Sequence, residues 1–290
     1  MVRKISDILV EKELTYSFEF FPPKTEKGVE KLFEVAEAFK NLQPDWFSVT
    51  YGAGGSTREL TMELVDQFQK RFDVPTIHHF TCVGHSKAEL AKVIEEMKGR
   101  NICNILALRG DSPAGVEHWE PAPDGLEYSY QLVELIRTHG DFFSIGVAGF
   151  PEGHIDCPDK ETDSSHLKMK IDAGGEFVIT QIFFDNKDYF DYIKRVREVG
   201  VDVRIIPGIL PITDYKKLIR FCEGCGATIP QKVHDIFQPI DGDEEATYKA
   251  GVEFVVKQCN GLLDGGAPGL HFYTLNKLEP VKEILNKVRR

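Results

Sequence analysis

The stretch Tyr16-Ser17-Phe18-Glu19-Phe20-Phe21 decides how the rest of the chain is read. It is short, rich in aromatic residues and almost uninterrupted in its apolar character, as a buried strand of a parallel sheet should be. Seven further runs share its character. They begin near Asp45 (DWFSVT), Pro75 (PTIHHFT), Asn104 (NILALRG), Phe143 (FSIGVAGF), Glu176 (EFVITQIFF), Val203 (VRIIPGI) and Gly269 (GLHFYTLN). Between them lie helical patterns. Val29, Leu32, Phe33, Val35, Ala36 and Phe39 form one apolar stripe, and Leu60, Leu64, Val65 and Phe68 another, after the cap candidates Ser56 and Thr57. Ser86 with Glu89 reads as a capping box ahead of Leu90, Ile94 and Met97. Tyr130 to Ile136 and Tyr189 to Val196 continue the alternation. Eight strand–helix repeats predict an α/β fold, a closed (β/α)8 TIM barrel, with a doubly wound open sheet as the alternative. The connection from the seventh to the eighth strand, residues 210–268, is long enough for two or three extra helices, one starting near Asp241-Gly242-Asp243-Glu244-Glu245. The 290 residues are read as one catalytic barrel domain, 1–290, with no regulatory domain.

Composition narrows the function. The chain is 42% hydrophobic and 28% charged, with a formal net charge of −11. So acidic a chain lacks the basic footprint of a nucleic-acid binder. No apolar run is long enough to span a membrane, and the first residues lack a signal-peptide core, so a cytoplasmic protein is expected. Six cysteines in such a chain are expected to be reduced. Cys222-Glu223-Gly224-Cys225 is a lone CxxC with no second ligand pair, so no metal site is expected and plain packing is the favoured reading.

Polar residues gather where the strands end, which is where barrel active sites form. Glu19 interrupts an aromatic strand. Thr50 and Tyr51 precede the glycine loop 52–55, which lacks the Lys-Ser/Thr of a phosphate-binding loop. His78 and His79 must face opposite ways, so at most one points into the mouth. Arg109-Gly110-Asp111 reads as a site or as a structural ion pair at a turn. Phe150 and His154, Gln181, and Tyr273, Asn276 and Lys277 complete the set. A carboxyl group buried among Phe18, Phe20 and Phe21 should have a raised pKa, which suits a general acid near neutral pH.

These residues fall into motifs. Residues 17–24 (SFEFFPPK), 107–111 (ALRGD), 179–181 (ITQ), 206–209 (IPGI) and 271–276 (HFYTLN) together resemble the methylenetetrahydrofolate reductase family over nearly the whole chain. The resemblance implies reduction of 5,10-methylenetetrahydrofolate to 5-methyltetrahydrofolate, with hydride passing from NADH or NADPH through bound FAD in a ping-pong sequence that supplies methyl groups for methionine synthesis. It implies Glu19 as the acid that protonates folate N10, and Asp111 as a carboxylate near the flavin and the pterin. It places Thr50, Tyr51, Ala53, His79, Arg109, Gly110, Asp111, Phe150, His154, Asp163, His166 and Lys170 against FAD. Gln181, Tyr273 and Lys277, with Glu19 and Asp111, are implied to meet the substrate, and a homodimer or homotetramer is implied. Three positions depart from common family patterns: Phe150 stands for a tyrosine, His166 for an asparagine of some members, and Met169 for a polar residue. The rival readings are a flavin-free reductase or folate methyltransferase on the same barrel, and a folate-binding protein without catalysis.

Overall fold

The computed structural model describes residues 2–51, 58–110, 121–122 and 124–288. Eight parallel strands close into a barrel in sequence order: β1 (Thr15–Phe20), β2 (Trp46–Val49), β3 (Thr76–Thr81), β4 (Asn104–Leu108), β5 (Ser144–Gly149), β6 (Phe177–Ile182), β7 (Arg204–Ile209) and β8 (Gly269–Tyr273). β8 returns to β1 with Ser17 opposite His271 and Glu19 opposite Tyr273. The expected barrel, not the open sheet, is therefore formed. Helices α2 (Glu26–Lys40), α3 (Arg58–Phe72), α4 (Lys87–Gly99), α5 (Ser129–Thr138), α6 (Lys160–Asp172) and α7 (Asn186–Glu198) follow the first six strands. Ser86 and Glu89 form the capping box at α4, with N–H to side-chain oxygen distances of 2.9 and 3.2 Å. The cap candidates Ser56 and Thr57 lie outside the described residues. The long connection holds α8 (Tyr215–Cys225), α9 (Gln231–Phe237), a 3-10 turn (Gln238–Ile240) and α10 (Glu244–Asp264), and α11 (Leu278–Lys287) ends the described fold. Asp243 starts α10 by accepting the Ala246 N–H at 2.9 Å, as the acidic run at 241–245 suggests.

One element was absent from the sequence reading. Helix α1 (Ile5–Glu11) precedes β1. Its Ile5, Ile8 and Leu9 join Trp46, Ile77, Leu106, Phe177, Ile179 and Ile206 in a core inside the barrel. Asn104 accepts the Ile5 N–H at 2.9 Å and Ser144 accepts the Ser6 N–H at 3.0 Å. Both acceptors are the first residues of their strands, so α1 stoppers the end where the strands begin. At seven residues and without a side-chain cap it is short for a helix read from periodicity.

A larger core fills the layer between sheet and helices. Strand alternation divides β1 between the two cores. Phe18 and Phe20 point outward, packing on Phe39 of α2 at 4.7 and 5.3 Å between ring centres, which leaves Ser17 and Glu19 pointing inward.

Candidate active site

The barrel mouth, at the end where the strands finish, opens into a cavity of about 730 Å³. That volume lies within the range of roughly 300–1,000 Å³ typical of cofactor and small-molecule sites. Glu19, Thr50, Tyr51, His79, Arg109, Gly110, Phe150, His154, Asp163, His166, Lys170, Gln181 and Tyr273 all line it. Ala53 and Asp111 lie outside the described residues. Lys277 stands at the N-cap of α11, its N–H bonded to Thr274 O at 2.9 Å, and is not among the lining residues.

Glu19 sits at the centre. Its Oε2 lies 3.2 Å from His79 Nε2 and 3.3 Å from His271 Nε2. Each imidazole is held from below by a serine: Ser48 Oγ is 2.8 Å from His79 Nε2, and Ser17 Oγ is 2.8 Å from His271 Nδ1. This corrects the expected raised pKa. Burial alone does push the carboxyl up, but the charge of His79, hydrogen bonds from His271 and His79, and the charge of His271 outweigh it and hold the group at about 2. The aromatic neighbours that suggested an apolar pocket lie on the other face of β1. Glu19 is thus ionised while the mouth is open. Of the two adjacent histidines one faces the mouth, as alternation requires: His79 lines it, and His78 lies on the opposite face, 6.3 Å from the Phe80 ring.

Gln181 and Tyr273 depend on an irregularity in β6. Ile179 pairs with Ile206, but Ile182 pairs with Gly208, so β6 carries one extra residue. Pro207, which has no N–H to give, stands opposite that extra residue, where a missing donor is tolerated. Thr180 Oγ1 accepts the Gly208 N–H at 2.9 Å, and the Thr180 carbonyl accepts the Tyr273 hydroxyl at 2.7 Å. A Cβ at Gly208 would lie 2.3 Å from that carbonyl and 2.6 Å from the Tyr273 ring, so only glycine fits. Burial raises the Tyr273 phenol well above its ordinary value, and the Glu19 charge adds to this. It therefore stays neutral and keeps its donor.

The opposite side of the mouth carries two cations, Arg109 and Lys170, each with a carboxylate as its partner in charge. Lys170 is half-buried, with Nζ donating to Ala148 O at 3.0 Å and lying 5.5 Å from the centre of the Phe150 ring. Burial lowers its pKa, and the Asp163 charge counters that. Asp163, buried in α6, is raised by desolvation and lowered by Lys170. Phe150 meets His154 edge-on at 4.6 Å. Arg109 pairs with Asp156 at 2.9 Å. Gly110 has φ +90°, and a Cβ there would lie 2.9 Å from Thr81 Cβ, so the backbone passes the cavity wall bare.

Several wall residues are not among the expected site residues, although Met169 is one of the departures from the family pattern. Tyr128, Ile155, Met169 and Phe221 line the cavity yet are exposed. Their exposed side chains form an apolar collar at the cavity; drawn from the N-cap of α5, a loop, α6 and α8, they share no local sequence pattern. Cys225 and Gly224 also reach the cavity, so the CxxC borders the site; both of its thiols are free, and the motif closes α8 before left-handed Gly226 as its position suggests. His271 was read only as part of a motif, and its contact with Glu19 appears once β8 is paired with β1.

The structure is a closed (β/α)8 barrel whose mouth joins a carboxylate, held by two imidazoles, and a neutral phenol to a wall bearing Arg109 and Lys170. Comparison with known proteins narrows the class. Residues 4–289 match the family model described as methylenetetrahydrofolate reductase, and the chain belongs to that family. It is 40% identical over 98% of its length to methylenetetrahydrofolate reductase 1 of Schizosaccharomyces pombe, covering 48% of that protein. It is 35% identical over 92% of its length to 5,10-methylenetetrahydrofolate reductase of Pectobacterium carotovorum, covering 87% of that protein. The chain thus spans about half the length of the first of these. Among solved structures, an uncharacterized protein from Clostridium thermocellum titled as binding two copies of 5-methyl-5,6,7,8-tetrahydrofolic acid shares the fold, with TM-score 0.63, 14% identity, and coverage of 97% of this chain and 96% of that one. Other relatives are named as NADH or NADPH forms. Among the described residues no helix is long and apolar enough to cross a membrane, and no group of three or more acidic, His or Cys side chains could hold a metal ion.

Proposed function

We propose that this chain reduces 5,10-methylenetetrahydrofolate to 5-methyltetrahydrofolate, using NADH or NADPH with FAD as the resident cofactor. The observation that carries this reading is the placement of Glu19 between two imidazoles, in a cavity that also presents Gln181 and whose far wall carries Arg109 and Lys170.

The residues present fit the cofactor. Lys170 is a half-buried cation whose one hydrogen bond among the described residues is to a backbone carbonyl, and Arg109 spends its charge on Asp156, an exposed carboxylate that a diphosphate can replace. Gly110 leaves backbone bare beside them. Leu106, Leu108 and Ile179 give an apolar floor for a planar ring. Arg109, Lys170, His154 and Asp163 would hold the flavin nucleotide, and the flavin, when bound, supplies reversible hydride storage.

The chain's own residues handle orientation and protons. Gln181 has both a donor and an acceptor, which suits a site that meets a nicotinamide and a pterin in turn. Glu19 protonates N10 of the folate; the five-membered ring opens, and the cation that forms at N5 and its methylene carbon becomes the hydride acceptor. Asp111 supplies the negative charge that favours this cation. Tyr273, held by Thr180, fixes the wall beside Glu19. The apolar collar of Tyr128, Ile155, Met169 and Phe221 borders the space a ligand would fill.

Anaerobic mixing tests the reading. The purified protein should carry flavin absorbance, bleach with NADH or NADPH, and recover its colour on addition of methylenetetrahydrofolate. A colourless protein that nonetheless binds folate would favour the flavin-free alternatives.

A further inference from the structure

An ionised Glu19 has no proton to give, so an acid at this position must be loaded. Two imidazoles touch it, and they are not equivalent. His79 lines the cavity, and its Nε2 is shared between Glu19 and Ser48. His271 is fully buried. Its Nδ1 is committed to Ser17 at 2.8 Å and its Nε2 to Glu19 Oε2 at 3.3 Å, and its ring packs edge-on to Tyr273 at 5.4 Å. Among the described residues, a proton leaving His271 at Nε2 therefore meets one acceptor, Glu19. The Ser17 hydroxyl can accept from Nδ1–H or donate to bare Nδ1, so it satisfies the ring in either protonation state. Among the described residues, the titratable groups that face this pair are His79 from β3 and Tyr273 from β8, and the phenol is neutral.

We propose that His271 is a positioning residue that loads Glu19: it holds a proton at Nε2 while the mouth is open, and passes it to Glu19 Oε2 when bound folate seals the mouth. The inference rests on the folate reading above. The step balances without a co-reactant. The Nε2–H bond breaks and the Oε2–H bond forms, turning imidazolium and carboxylate into imidazole and carboxylic acid. The O–H bond then breaks as N10–H forms, leaving carboxylate, and a proton from water reloads His271 through Glu19 after product leaves. Ligand binding drives the transfer because removing water penalises two opposite charges more than two neutral groups.

The test uses flavin-loaded protein with ¹³C-labelled glutamate and follows the Glu19 carboxyl by difference infrared spectroscopy against Glu19→Gln. In the wild type, 5-methyltetrahydrofolate should convert the carboxylate signal to a carboxylic acid signal; in His271→Gln the signal should stay carboxylate. His271→Gln should also slow the folate half-reaction by about 100-fold and abolish its pH dependence on the alkaline side, with bleaching by the nicotinamide nucleotide unchanged. Ser17→Ala, which keeps the ring and removes its anchor, should slow the same step by about tenfold and shift the alkaline limb, a 1.4 kcal/mol effect. A Glu19 that stays ionised on folate binding in the wild type, or a wild-type pH profile in His271→Gln, overturns the proposal. If the wild type binds no folate, the functional reading fails separately. The ligand-free titration then decides the pairing: His271→Gln should raise the proton affinity of Glu19 about tenfold, and an unchanged titration rejects it.

Discussion

The two ends of the barrel are built from the same eight strands and the same alternation, yet they share almost no chemistry. Where the strands begin, inward positions hold Trp46, Ile77, Phe177 and Ile206, and α1 adds Ile5, Ile8 and Leu9. One or two residues further along, the inward positions become Ser17, Ser48 and His271, then Glu19, His79, Gln181 and Tyr273. The barrel axis thus runs from a dry plug, through a layer of two serines and an imidazole, to a titratable mouth. The middle layer matters because it supplies hydrogen-bond partners to both histidines without admitting water from below. A stoppered floor lets the mouth be polar: the cost of burying charge is met by fixed partners, not by solvent.

Several substitutions break or sharpen this contrast. At the floor, Ile8→Ala removes a buried side chain that is 2% exposed and should cost about 2–5 kcal/mol of stability in denaturant unfolding, with flavin and folate affinity unchanged. A comparable loss of affinity would show that the two ends are coupled. At the mouth, Gly208→Ala forces a Cβ against Thr180 and Tyr273 and should cost about 1–3 kcal/mol. Unlike Ile8→Ala it should also weaken folate binding, which calorimetry would detect.

The third substitution concerns pH. His78 is fully buried, neither ring nitrogen has a partner among the described residues, and desolvation first, then the His79 charge, lower its pKa to about 3. The unfolded imidazole takes up a proton below about 6.5 and the folded one does not, so stability is complete above that pH and is lost as pH falls towards 3. Between pH 6.5 and 5 the loss should be on the order of 2 kcal/mol. His78→Phe should remove it, as melting temperature against pH would show. Glu19, lowered to about 2 in the fold from an ordinary value of 4.5, adds stability that is present above about 4.5 and is lost as pH falls towards 2, so its loss starts lower and overlaps that of His78 only below about pH 4.5. The smallest effect is expected for Asp156→Asn. The Arg109–Asp156 pair is partly exposed, and its loss should change stability by less than about 1 kcal/mol.

Much of this was legible in the sequence. The eight apolar runs gave the strands because buried parallel strands advertise themselves by composition. Thirteen of the implied site residues line one cavity because polar residues at strand ends have few other places to go in a barrel. Three things were hidden. Helix α1 is too short to show periodicity, and its job, plugging the floor, is visible only once the barrel exists. The ionised state of Glu19 was misjudged because sequence neighbours in a strand point to the other face, whereas the groups that set its charge come from β3 and β8. His271 lies 252 residues from Glu19 in sequence, a contact that closure of the barrel creates and local pattern does not reveal.

The central claim is that Glu19 serves proton delivery at the mouth and nothing else in the cycle. Rapid mixing of the flavin-loaded Glu19→Gln variant under anaerobic conditions tests it most directly. The account predicts bleaching by NADH or NADPH at close to the wild-type rate, with recovery of colour by methylenetetrahydrofolate slowed by about 10²–10⁴-fold. Recovery at the wild-type rate, or an equal loss in both halves, would contradict it.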